Sequence, residues 1–187
     1  MANRNTQGFG LVPAGTLGQT PATSGTGKYK IDAGYATTIF HGGAVSSTAG
    51  YIVEGHGTAD NPMIGVLNGI FYNAATTLKP TFSNHYVQVT PANSEDIDAF
   101  VFDNPQQQYV VATDAAVAQS GYLETYDMNA SAGSTTTGKS SSTLDIGDTS
   151  ADAAAFRLLR SAEDPENDEN AAFRSVVVCL NLIELQS

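Results

Sequence analysis

Three histidines (His41, His56 and His85), one cysteine (Cys179) and an acidic run from Glu163 to Glu169 are the residues whose types could do chemistry. A zinc site wants ligands delivered in pairs by one turn or helix, as in HxH or HExxH. The histidines are scattered singly, and none has a partner at such a spacing. Asp164, Glu166, Asp168 and Asn170 fall at alternate positions, like the first half of a calcium loop. That loop needs glycine at its sixth position for the turn and a bidentate glutamate at its twelfth. Here those positions hold Glu169 and Ser175, so the run reads as an acidic turn. The serines lie in no GxSxG elbow, and Gly42, Gly43, Gly55 and Gly57 follow neither a GxGxxG nor a P-loop spacing. Asn129-Ala130-Ser131 is a formal glycosylation sequon, meaningful only in a secreted eukaryotic chain. Cys179 sits in VVVCLNLIEL, where it reads as a small buried hydrophobe, and one cysteine forms no internal disulfide. The residues predict no catalytic site, no metal and no cofactor; the expectation is a protein that is not an enzyme.

Whatever function exists must then rest on surfaces, and the elements that shape them read as β. From Lys28 onward, short apolar or alternating runs are broken by Gly, Asn, Asp and Pro. KYKI, YATTIF, AVSS, YIVEG, MIGVLNGIFYN, HYVQVT, DIDAFVF, QYVVAT, GYLETYDM, SSTLDI, AAFRLLR and FRSVVVCLNLIEL are the predicted strands. Val176 to Ile183 is apolar on nearly both faces, which predicts a central strand with Val176, Val178, Leu180 and Leu182 in the core. Asp114–Gln119 and Ser150–Arg160 are alanine-rich and allow one or two helical turns, although Phe156, Leu158 and Leu159 also fit a strand. The expected fold is mainly β, an antiparallel sandwich or barrel-like structure with room for two small lobes.

Residues 1–27 carry no strand or helix pattern and are rich in Gly, Thr, Ser and Pro, yet hold one apolar cluster: Phe9, Leu11, Val12 and Pro13. Such a composition stays disordered or orders against a partner. The expectation is an extended N-terminal arm over 1–27 docking through these four residues, followed by a β-rich domain over 28–187. With 19 acidic residues against 8 basic, a net charge of -11 and only 14% charged residues, the chain is unsuited to gripping nucleic-acid phosphates. MANRN opens no apolar signal region, and no run is long enough to span a bilayer as a helix, so the reading is a soluble protein with no membrane partner.

Several pieces, taken in order, resemble the capsid decoration, or head-stabilising cement, proteins of tailed bacteriophages. They are FGLVP (Phe9 to Pro13), KYKI with GYATTIFHGGAV (Gly34 to Val45), GVLNGIFY (Gly65 to Tyr72), AFVFDNP (Ala99 to Pro105), and DPEN before a final apolar strand. The chain departs from that pattern at Asn104, where a second acid would stand, and after Asn181, where a histidine would follow. The resemblance implies a β-rich virion protein, commonly a homotrimer, on the outer surface of the icosahedral capsid, where it ties major capsid protein subunits together. The alternative is a phage tail or fibre protein, or a carbohydrate-binding structural protein at the host surface. Fibre repeats are not visible, and the chain has no tryptophan to offer a sugar.

Overall fold

The computed structural model describes residues 3, 5–19, 25–55, 62–129, 133–147 and 154–181. The chain is mainly β, a sandwich of antiparallel sheets and not a closed barrel. The strands are β1 (Val12–Thr16), β2 (Gly27–Ile31), β3 (Ala44–Thr48), β4 (Tyr51–Glu54), β5 (Gly65–Asn73), β6 (Pro80–Ser83) and β7 (Ile97–Phe102). They continue with β8 (Gln107–Ala112), β9 (Thr125–Tyr126), β10 (Met128–Asn129), β11 (Thr143–Leu144), β12 (Phe156–Ser161) and β13 (Ser175–Leu180). Among the described residues, helix is confined to 3-10 turns at Leu17–Gln19, Ala92–Ser94 and Gln119–Gly121.

The first sheet runs β1-β8-β13-β12-β9, and the second β2-β7-β5-β3-β4, with β6 also on β5; β10 and β11 form a ribbon. Apolar alternation explains the order. Tyr109, Val111, Phe156, Leu158, Val176, Val178 and Leu180 point from the first sheet into one core, where Val66 of β5 and Phe102 of β7 meet them. The other face of the second sheet carries a second core of Ile31, Val45, Ile52, Leu67, Ile70, Ile97 and Val101. Alternation puts Val66 on one side of β5 and Leu67 on the other, and the bulge between Leu67 and Gly69 lets Ile70, three residues on, share the side of Leu67.

Strand β13 is central and buried at all six positions, as its apolar run predicts. Val176, Val178 and Leu180 lie in the core; Leu182 falls outside the described residues. Phe156 to Ser161 is a strand, with Phe156 and Leu158 turned inward, so the helical option fails there. Two predicted strands are absent. Residues 35–40 and 85–90 share a single bridge, Ile39 to Tyr86, with backbone N···O distances of 3.0 and 2.8 Å. No ladder grows from it because the next backbone groups go elsewhere: the His41 N–H donates to Gly138 and the Gly42 N–H to Leu67. Tyr86 is fully buried, and its phenol donates to the Tyr35 carbonyl.

On the outward side of the second sheet, Asp98 sits between Lys28 and Lys30 at 2.8 and 2.7 Å. Burial alone would raise its carboxyl, but the hydrogen bonds from both lysines outweigh this and hold it below the ordinary value of 3.8. A depressed carboxyl stabilises the fold above its unfolded value, and that stability disappears as pH falls through the folded one. The loss from this group therefore falls below about pH 4, and Asp98→Asn should shrink the difference in unfolding free energy between pH 7 and pH 3, measured by urea titration. Cys179 is buried on β13, and desolvation pushes its thiol up. Native labelling with a maleimide should accordingly be slow, and fast only after denaturation.

Candidate partner interface

In the N-terminal stretch the described residues, 3 and 5–19, are joined to the domain through backbone and side chains. The Asn3 amide donates to the carbonyls of Ala172, Asp168 and Ala171 at 2.9, 3.3 and 3.3 Å, and its side-chain oxygen accepts the Asp168 N–H. Asn5 donates to the Ser175 hydroxyl at 3.1 Å. Gly10 then crosses Gly42 at a contact only glycine allows. Its φ is +74°, that of Gly42 is +77°, and a Cβ on Gly10 would stand 2.8 Å from the Gly42 carbonyl oxygen. At this crossing the Gly10 N–H donates to Ser142 at 3.2 Å and the Leu11 N–H to Gly42 at 2.8 Å.

Strand β1 follows at the open edge of the first sheet, paired antiparallel with β8 and bulged between Pro13 and Gly15. The sequence hides it because glycine and proline interrupt any alternation; pairing with β8 supplies the order that local propensity lacks. Pro13 has no N–H for the ladder, which suits an edge. The four residues predicted to meet a partner are thus divided. Leu11 is 2% exposed and part of the core between the sheets, whereas Val12 is 47% exposed and Phe9 and Pro13 are half-buried. Val12 heads a row with Val110 and Val177 on the face opposite the core-facing row of Tyr109 and Val178, exposed at Val12 and buried by Val177.

The residues considered for chemistry are occupied in ordinary structure. The His41 ring donates to the Asn68 carbonyl at 2.8 Å; His56 lies outside the described residues. His85 contacts the Asn84 amide oxygen at 2.8 Å and stacks on Phe40. Ser83 lies 3.5 Å from the His85 ring, but its hydroxyl donates to the His85 carbonyl at 2.8 Å, so its proton is not directed at the imidazole. In the acidic loop, Asp164 and Asp168 accept the N–H groups of Glu166 and Asn170, both at 3.0 Å, which makes the alternate spacing that of turns closed by aspartate. Among the described residues, no group of three His, Cys, Asp or Glu is placed to hold a metal ion, and no helix is long and apolar enough to cross a membrane.

Two surfaces carry no sequence signal. Phe82 is exposed on β6, its ring 6.2 Å from that of half-buried Phe100, forming an aromatic shelf on the second sheet. The other is a cleft beside Arg174 and Tyr122, whose members come from three separate segments. No family model, curated protein or solved structure matches the chain.

Removing Leu11 should cost far more than removing Val12. Leu11→Ala leaves a cavity between the sheets and is expected to lower stability by about 2–5 kcal/mol, against under about 1 kcal/mol for Val12→Ala, in parallel denaturant titrations. Deleting residues 2–20 should destabilise the domain as well, since it strips β8 of its neighbour.

Proposed function

We propose that the chain is a structural, non-catalytic subunit that decorates the outer surface of a tailed-phage capsid, acts as a homotrimer and ties adjacent major capsid proteins together. The observation that carries this is the division of FGLVP: the core takes Leu11, Val12 stays 47% exposed on the edge strand of the first sheet, and Phe9 and Pro13 are half-buried beside it. An apolar group already fixed on a sheet docks without the ordering cost that a flexible arm incurs. Repeated copies on a shell turn a modest contact into a firm coat. The net charge of -11 keeps coated particles apart in solution. Three copies about an axis let one patch serve every site.

A second reading, carbohydrate binding at a host surface by a tail or fibre component, is favoured by the Phe82 and Phe100 shelf, since sugar rings stack on exposed aromatic faces. The two readings separate experimentally. Gold-labelled antibody against the chain, applied to native particles, should decorate heads; label on tails, or on no particle, overturns the shell reading. Val12→Asp should weaken cosedimentation with purified shells at least about tenfold while shifting stability by only about 0.5 kcal/mol. Phe82→Ala should leave shell binding intact, and loss of host-cell adhesion in that variant decides for the second reading. A monomeric mass in sedimentation equilibrium, with monomers on the shell, excludes the trimer.

A further inference from the structure

Arg174, next to the start of β13, is 2% exposed, yet its guanidinium is incompletely paired. Nη2 donates to Glu169 Oε1 at 2.9 Å, and Nη1 reaches only the Val117 carbonyl at 3.5 Å. Nε is buried with no hydrogen-bond partner among the described residues. In a guanidinium, Nε–H and one Nη2–H point the same way and form a fork matched to both oxygens of a carboxylate. Glu169 fills one prong with one oxygen. A buried charged donor left unpaired is costly, so a site that completes it gains more than a surface ion pair would. Glu169 itself is 76% exposed, so it covers the guanidinium from the solvent side and can swing away.

Arg174 and Glu169 line a cleft of about 380 Å³ together with Tyr122, Leu123, Leu159 and Arg160. The Tyr122 ring backs the guanidinium, with Cζ 5.6 Å from its centroid. Leu123 is an independent sign. It adopts φ +68°, a strained region for leucine, and is 63% exposed. Two hydrogen bonds hold it there, its N–H to the Leu158 carbonyl at 2.8 Å and its own carbonyl to Arg157 Nη1 at 2.7 Å. Three of the chain's four arginines, Arg157, Arg160 and Arg174, gather on this side of a protein of net charge -11. Glu169 pairs with Arg174, and Glu163, exposed, stands 3.9 Å from Arg160 in the same acidic loop.

We propose that this cleft docks an acidic segment of a partner protein. One carboxylate of the segment displaces Glu169 and takes both Nε and Nη2 of Arg174, a second meets Arg160, and an apolar neighbour covers Leu123 and Leu159. Charge complementarity selects carboxylates, and the two leucines select a peptide over a free ion. The segment need not belong to a shell protein, and the assay below contains none, so failure here leaves the shell reading untouched.

The test is fluorescence anisotropy of the full chain with labelled Leu-Glu-Leu-Glu-Leu and Leu-Gln-Leu-Gln-Leu peptides at low salt. The acidic peptide should bind and the amide peptide should not. Glu169→Gln, which removes the internal competitor's charge, should tighten binding by about threefold or more, and Arg160→Gln should weaken it by about the same factor. Leu123→Gly relieves the positive φ, so it should weaken binding without lowering the melting temperature. Equal affinity for both peptides overturns the proposal. So does the absence of binding to both wild type and Glu169→Gln at millimolar peptide, or a Glu169→Gln variant that loses stability and gains no affinity, since Arg174 is then a structural cation with Glu169 as its counterion.

Discussion

Strand β13 has to be covered on both faces, and most of the architecture follows from meeting that need. Its six residues are all buried, with β8 and β12 on either side satisfying the backbone. Val176, Val178 and Leu180 face the core between the sheets, which obliges the second sheet to offer Val66 and Phe102 from its own outward side. That side is therefore divided: one part lies under the first sheet, and the rest emerges into solvent carrying Phe82 and Phe100. The opposite face of β13 holds Ser175, Val177 and Cys179, and the amide of Asn5 is fastened at its start. A strand whose two faces require different partners fixes where the chain's other segments can go.

The N-terminal crossing is the second constraint. Gly10 and Gly42 meet where no side chain fits, and the hydrogen bond between the Leu11 N–H and the Gly42 carbonyl sets the depth to which Leu11 enters the core. Once Leu11 faces inward, strand alternation turns Val12 outward. The same geometry thus makes one residue of FGLVP structural and its neighbour available to another surface.

What could be read from the sequence follows from where the order originates. Strands β2, β3, β4, β5, β7, β8 and β13 were legible because their own residues alternate or run apolar over enough positions to specify a buried face. Strand β1 was not, because its order comes from β8, a partner nearly a hundred residues away in the register Val12 to Val110. Strand β6 starts at Pro80 and carries one large apolar side chain, Phe82, so it shows no period. Residues 35–40 and 85–90 have the composition of strands, but beyond the Ile39–Tyr86 bridge the neighbouring backbone groups of His41, Gly42 and Thr90 pair with Gly138, Leu67 and Ala75, and composition cannot report that. Arg174 was equally silent: an arginine ahead of an apolar run looks like a solvated strand end, and only the approach of Tyr122 and Glu169 from elsewhere makes it a buried cation.

Because Asn3 is held by carbonyls of Asp168, Ala171 and Ala172, the segment around it finds its seat only once residues some 165–169 positions further along have been made. During synthesis at roughly 5–20 residues per second, the first segment would wait on the order of ten seconds or more outside the ribosome before its partner appears. Closing a loop of that length against a large entropic cost places this contact among the last to form. Separately, until β1 docks, β8 offers a row of unpaired backbone groups that could recruit the same strand from another copy. Strand exchange between neighbouring copies at the β8 edge is then the error of folding that this topology invites.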